Sequence, residues 1–290
     1  MKSIGIITSK ELAELLDYDR DIINMLSEKD IKAEAIIWDV PHKTWESFDM
    51  LLMRTAWGYH LKHEEFRKML EYFAENNLKV WNPTSIMLEN MHKFYLRTLM
   101  EAGFEVIPSL FLEPNDLNNI AKIAEYTDWE QFVIKPAISA AAFDTYVISD
   151  INQFKNSEGI LDLFKGRQFL LQKYLTEIET EGEWSIIFFC NGFCYSILKV
   201  PKKGDYRVQD DFGGMYYRLQ APEFVFESAK KIADFYIDRC LYIRVDGVVS
   251  DNKFYVMEVE MIEPHLFMDL VPEAKEPFVD AIVKKLNGNH

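Results

Sequence analysis

RVDGVVSDNKFYVMEVE, Arg244 to Glu260, reads as two β-strands joined by a tight turn. Arg244 to Val249 is rich in valine, Phe254 to Met261 in valine and aromatics, and Ser250-Asp251-Asn252-Lys253 supplies turn residues. Asp246, Glu258 and Glu260 interrupt strands whose other residues read as buried. Glu258 and Glu260, two positions apart, share a strand face. Asp246 joins that face only if the register has even parity. We expect a three-residue connection (Asp251-Asn252-Lys253), or an equivalent bulge, to set it opposite Glu258. On this reading Phe254 and Val256 share the acids' face, while Tyr255, Met257, Val259 and Met261 line the other. Acids gathered there lose hydration and repel one another, so they need a cation or must bind protons. Mg²⁺ fits, because a few carboxylates bind it together with substrate phosphates. The alternative is a solvated strand end, and the pattern alone does not decide.

A metal–phosphate site in an acidic chain needs specific cations. Lys135 ends the apolar run FVIK before Pro136, and Lys93 falls in the first turns of a helix that runs to Gly103. A positive charge there opposes the helix dipole unless an anion is near. Arg207 sits in KVPKKGDYRVQDDFGG, a polar loop with Gly204, Gly213 and Gly214. The small residues after Lys135, AISAAAF, let backbone approach a phosphate closely. Taken singly, each lysine reads as an ordinary surface or snorkelling side chain.

The whole chain sets bounds on these local readings. Its 290 residues hold 47 acids against 32 basic residues, a formal charge of −15, which argues against nucleic acid and anionic membranes as partners. The apolar fraction of 49% can fill sizeable cores. MKSIGIITSK contains no signal-peptide core, and no apolar run reaches spanning length. Three cysteines suggest a reducing compartment, and a cytoplasmic location is the default. In CNGF, Asn191-Gly192 reads as a two-residue hairpin turn. That sets Cys190 opposite Phe193 and Cys194 opposite Phe189, with the thiols on opposite faces.

The first third alternates strand and helix: SIGIIT, a helix over Glu11–Leu26, AEAIIWD, FDMLLMRT, a helix over Glu64–Phe73, then KVWNP. This order predicts a parallel, helix-flanked sheet, without the glycine fingerprint of a dinucleotide site. Helical sequence follows from Thr84 to Gly103. Next come short strands (FVIKP, TYVIS, FLLQKYL) mixed with acidic helices such as Asn115–Glu125. The remainder is mostly strand, with one long helix over Ala221–Arg239. We expect three units: 1–90, 91–172 and 173–290.

Taken in order, these elements resemble the ATP-grasp ligases, in particular the glutathione-synthetase-like branch. The order is HK with Lys93, FVIKP with Lys135, LLQKYL, Glu183 in EGEWS, Lys199 and Arg207 in KVPKKGDYR, then RVD and MEVE. The likeness covers roughly Asn82 to Leu270, and its strength lies in the succession of motifs. MRTAWGYH, VWNP, HKFYL, EGEWS and MEVEMIEPHLF look like the O-ureido-serine cyclo-ligases of cycloserine biosynthesis, which extends the likeness back to about Asp49.

The resemblance implies an α/β fold, α+β in its C-terminal part, of three subdomains with ATP held between two antiparallel sheets. Lys93 and Lys135 would contact the ATP phosphates, and Ser139 to Ala142 would belong to a lid over them. Gln172, Lys173, Tyr174 and Leu175 would form the hinge beside the adenine, Lys173 and Leu175 through their backbones, with Glu183 near the ribose. Arg207 and Lys199 would stabilise the transferred phosphoryl group. Asp246, Glu258 and Glu260 would hold two Mg²⁺, with Mn²⁺ as an alternative metal. The third ligand is often Asn in the superfamily, so Glu260 is a modest departure. Gly58 stands where relatives often have Asp, and Ser185 where glutathione synthetases carry Arg; both positions are expected to touch the acceptor.

The implied reaction joins a carboxylate to an amine through an acyl phosphate, on a small amino-acid-like substrate. A homodimer is left open. The rival readings are a phosphotransferase acting on a hydroxyl and a non-catalytic nucleotide-binding module. The pair His60 and His63 in HLKH reads as a solvated helix start, Tyr216-Tyr217 as core, and His265 carries no assignment.

Overall fold

The structure, a computed structural model, describes residues 1–40, 44–150, 154 and 158–288. Strands β1 (Lys2–Thr8), β2 (Ile31–Ile37), β3 (Met50–Thr55) and β4 (Val80–Trp81) form an all-parallel sheet in the order β2-β1-β3-β4. Every residue of β3 is buried, as a parallel strand covered on both faces should be. Met50 and Leu52 join one core with Tyr18, Ile22 and Leu26 of helix α1 (Asp17–Ser27). Leu51 and Met53 join another with Phe66, Leu70 and Phe73 of helix α2 (His63–Glu75). Each helix buries an apolar stripe at three- and four-residue spacing. The helix expected from Glu11 to Leu26 is in fact a 3₁₀ turn (Lys10–Leu12) followed by α1. Leu15, buried in the core and left-handed at φ 59°, breaks it.

The expected helix from Thr84 to Gly103 is likewise two, α3 (Thr84–Asn90) and α4 (Tyr95–Glu101). Groups at the break are committed elsewhere: the Lys93 N–H donates to the Ala137 carbonyl at 2.7 Å, and Asn90 bonds Val259 and Met261. Lys93 therefore stands just before α4, not within a helix. The acidic helix over Asn115–Glu125 divides into a 3₁₀ stretch, Pro114–Asn119, and a helix, Ile120–Glu125.

Two antiparallel sheets follow. Strands β5 (Ser109–Leu112), β6 (Phe132–Pro136), β7 (Tyr146–Ile148) and β8 (Phe169–Lys173) run in the order β5-β8-β6-β7. Strands β9 (Glu183–Phe189), β10 (Cys194–Val200), β11 (Met215–Arg218), β12 (Tyr242–Ser250) and β13 (Lys253–Glu260) run β11-β10-β9-β12-β13. A helix over Glu223–Tyr236 packs Val225, Ala229 and Ile232 into the core that holds Val245, Val256 and Val259.

The turn after β9 is one residue longer than expected. Cys194 faces Phe188, not Phe189, and Phe189 bonds Phe193 around Cys190-Asn191-Gly192. The cysteines are free and pack against different cores. β13 would be an open edge strand, but the backbone of Glu105 and Ile107 bonds Val256 and side chains continue the ladder past it. Asn82 accepts from Leu241 N–H and donates to Tyr242 and Met261 carbonyls; Asn90 and Tyr95 bond Val259 and Met261. These bonds tie β13 to the end of the parallel sheet. No helix among the described residues is long and apolar enough to cross a membrane.

Candidate active site

The turn between β12 and β13 is two residues, Asp251 and Asn252, left-handed at φ 49° and 58°, with Ser250 paired to Lys253. By itself that turn would put Asp246 on the wrong face. A bulge at Met257 restores it: Gly247 pairs with Val256, but Asp246 pairs with Glu258 and Arg244 with Glu260. The three-residue loop is thus corrected, and the bulge offered as its equivalent is present. The bulge also reverses the phase of the strand before it. Phe254 and Val256 lie in the core with Val259 and Met261, and do not share the acids' face. Gly247 is needed beside the bulge, since a Cβ there would lie 2.5 Å from the Tyr255 carbonyl and 2.7 Å from the Phe254 ring.

A cavity of about 640 Å³ lies between the two antiparallel sheets, with Trp57, Gly58 and His60 of the parallel-sheet unit closing one end. Its size is that of a small-molecule site. Every residue singled out in the sequence as catalytic, nucleotide-binding or metal-binding lines this one cavity. The hinge supplies Gln172, Lys173, Tyr174 and Leu175. Lys173 has already spent its N–H on Pro108 and Tyr174 its own on Gln131, whereas Leu175 N–H is uncommitted among the described residues. Ser139 lies buried after Lys135 and donates to the Pro136 carbonyl at 3.3 Å. Ala141 and Ala142 follow at φ 50° and 56°, a left-handed conformation that alanine adopts at a cost of roughly 1–2 kcal/mol per residue.

The acids are neutralised from within the chain. Asp246 takes a forked contact from Arg244 (2.8–3.1 Å), Lys199 at 3.2 Å and the Ser185 hydroxyl at 2.7 Å. Burial pushes its carboxyl up, but Arg244 and Lys199 outweigh burial and hold it well below the usual range. Lys199 also pairs with Glu183, the residue opposite it across β9 and β10. Lys93 pairs with one oxygen of Glu258, and Arg244 with one oxygen of Glu260. Burial and the neighbouring Asp246 and Glu258 carry Glu260 up to about 7 against the pull of Arg244. Among the described residues, Lys135 is buried without a side-chain partner. Burial and Lys93 lower it to about 8, so it is charged at neutral pH and unpaired.

Among the described residues no three acids converge as a ready-made metal site. Asp246 bonds Arg244, Lys199 and Ser185. Glu258 and Glu260 each keep one oxygen without a partner among the described residues, and two hard oxygen donors on one strand face suit Mg²⁺. Arg207 reaches the cavity wall while clamped by Asp205 (2.7 and 3.0 Å) over the Phe212 ring, 3.7 Å from its centre.

Several residues differ from their readings in the sequence. Ser185 is fully buried and braces Asp246, so it does not touch an acceptor; Gly58 does line the cavity. His60 is no solvated helix start: it lines the cavity against Phe143, and burial lowers it to about 4. Tyr216 lines the cavity and Tyr217 is largely exposed, because β11 is an edge strand and not core. Arg244 was missed, although its place two residues before Asp246 puts both on one strand face. Glu263 and His265, which also line the cavity, lie beyond β13 where no periodicity marks them.

The architecture has relatives. A crystal structure of D-cycloserine synthetase DcsG superposes with a TM-score of 0.85 at 22% identity, covering 98% of this chain and 99% of that one. D-alanine–D-alanine ligase from Bacillus anthracis, complexed with ATP, gives 0.68 at 14% identity, covering 99% and 97%. The chain has the ATP-grasp fold. In sequence, residues 4–82 match the family model described as D-cycloserine synthetase DcsG, N-terminal domain. The cycloserine biosynthesis protein DcsG of Streptomyces lavendulae is 23% identical over 290 aligned residues, 93% of this chain and 95% of its own length.

Proposed function

We propose that the chain is an ATP-dependent ligase that joins the carboxylate of a small amino-acid-like substrate to a nitrogen, through an acyl phosphate. The observation that carries this reading is the gathering of the site's groups in one cavity. The cavity brings an unpaired buried lysine, two acids with free oxygens and a hinge with an uncommitted N–H together between two antiparallel sheets. A relative of the same fold is complexed with ATP, and others act, by name, as D-alanine–D-alanine ligase and D-cycloserine synthetase. The division of labour follows three units, 1–90, 91–172 and 173–290, each built around one of the three sheets.

ATP and Mg²⁺ supply the activation, replacing the poor oxide leaving group of a carboxylate by phosphate. The chain's own part is alignment and charge neutralisation. Leu175 and its hinge neighbours receive the base, with Glu183 on the ribose side. Lys135 and Lys93 meet the phosphates under the Ser139–Ala142 lid, whose left-handed alanines bring backbone to the cavity. Glu258 and Glu260 hold the metal, and Asp246 stands behind them with its charge already balanced. Arg207 and Lys199 meet the negative charge that develops on the transferred group.

The test is incubation with ATP, Mg²⁺ and amino-acid pairs or ureido amino acids, with the product identified by mass spectrometry. Loss of water in the organic product with release of ADP and phosphate is the expected result. A phosphorylated hydroxyl product would replace the ligase reading by a phosphotransferase.

A further inference from the structure

Beyond β13, Ile262 to Leu266 is neither helix nor strand, yet each of its carbonyls is held by a side chain. Tyr242 Oη donates to Ile262 at 2.8 Å, Trp57 Nε1 to Glu263 at 3.2 Å and Arg54 Nη1 to Pro264 at 3.4 Å. Arg244 Nη1 donates to His265 at 3.0 Å and Tyr195 Oη to Leu266 at 2.5 Å. The strap is therefore fixed from the parallel sheet on one side and from the five-stranded sheet on the other. Its two polar side chains, Glu263 and His265, both line the cavity. They do so past Glu260, where Trp57 and Tyr59 close that end.

Glu183, Asp246, Glu258 and Glu260 each have a cationic partner. Among the described residues, Glu263 is the one buried or half-buried acid of the cavity wall whose carboxyl group has neither an ion pair nor a hydrogen bond. Burial and the like charges of Glu260 and Glu258 push its carboxyl group well up, against the weaker pull of Arg244 and Arg54, so with no further cation beside it the group holds a proton at neutral pH. Arg244 is engaged by Asp246, Glu260 and His265, and Arg54, which bonds Asp19 and Pro264, does not line this cavity. Burial and the nearby cations hold the His265 ring down to about 3, so it brings no charge at neutral pH. It sits among the rings of Tyr18, Trp57 and Phe267. This end of the cavity offers one free carboxyl group, a neutral imidazole and aromatic faces, and no free cation. It suits an ammonium group, which would supply the cation that lets the Glu263 carboxyl group ionise and would rest against the aromatic faces.

We propose that Glu263 receives the ammonium group of the amino-acid-like substrate, and so turns the substrate's carboxylate toward Lys135 and the acids of β13. The inference rests on the ligase reading above and assigns the substrate's orientation within that site. It makes Glu263 a specificity residue: a des-amino acid of the same size binds more weakly.

The test compares wild type and Glu263→Gln by calorimetry, with ATP and Mg²⁺ present. The probes are D- and L-alanine against propionate, D- and L-serine against 3-hydroxypropionate, and D-cycloserine; ADP release is followed in parallel. Gln keeps the side chain's size, and an unchanged ATP isotherm shows that the cavity is intact. At least one amino acid should bind wild type tenfold or more tightly than its des-amino partner, and Glu263→Gln should remove that preference. A preference that survives Glu263→Gln, or no preference in wild type, overturns the proposal. Failure of the ligase reading looks different: an amino acid binds with the expected preference, but no ADP appears.

Discussion

Arg54 and Asp19 pair at 2.9 Å beneath the parallel sheet, and Arg244, Asp246, Lys199 and Glu183 form a second buried group in the cavity wall. Each group pairs an arginine with an aspartate, the second adding a lysine and a glutamate, and both are buried. Arg54 lies over the rings of Tyr18, Tyr242 and Phe278, does not line the cavity between the antiparallel sheets, and leaves its own Nη2 and the Asp19 Oδ2 without partners among the described residues. The second group is spread over β9, β10 and β12 with all its members opening onto the cavity. Burial and pairing of charge are therefore not enough to mark a reactive site. Access is what separates a charge that holds the frame from one that can be lent to a ligand.

The largest expected effect tests the closed pair. Arg54→Met leaves Asp19 buried and unpaired and should cost about 3–5 kcal/mol of stability in denaturant titration. A loss below about 1 kcal/mol would break the comparison, because Arg54 would then hold nothing. In the open group, Glu258→Gln should lower turnover about 10²–10³-fold, the scale set by removing one charge-stabilising group, with the denaturant midpoint unchanged. Full activity in that variant would sink the role given to the acids of β13.

The acids were legible because carboxylates interrupt valine-rich strands, and the order of lysines ahead of them pointed to phosphates. What the sequence hid is long-range. The break between α3 and α4 depends on Asn90 reaching β13 and on Lys93 N–H reaching Ala137. The Met257 bulge compensates a two-residue turn, and no propensity in KFYVMEVE announces it. Arg54 reads as one polar residue at the end of an apolar strand, with its partner 35 positions away. Glu263 lies where there is no period to read.

Two smaller effects sharpen the contrast. Ser185→Ala removes the hydroxyl that bonds Asp246 and should cost about 1.5–3 kcal/mol, the range for a hydrogen bond to a charged group. It should lower turnover less than Glu258→Gln does, since Arg244 and Lys199 still hold Asp246; an equal loss would show Ser185 at the reaction itself. The smallest effect is one of pH. Lys135 titrates near 8 when folded against an ordinary 10.5, so between those values the unfolded chain binds more protons. Its contribution to the stability of the ATP-free protein therefore rises with pH over that window. ATP affinity moves the other way, falling by at most about tenfold per pH unit above 8 as the charge is lost. Lys135→Met should abolish both trends, and a pH profile identical in wild type and variant would remove Lys135 from the phosphate site.

The central claim is that the cavity between the two antiparallel sheets binds ATP with its metal. Calorimetric titration of the purified protein with ATP, once with Mg²⁺ and once with EDTA, tests it most directly. Saturable binding with Mg²⁺ that weakens sharply in EDTA is the predicted result. The absence of binding under both conditions would contradict the account.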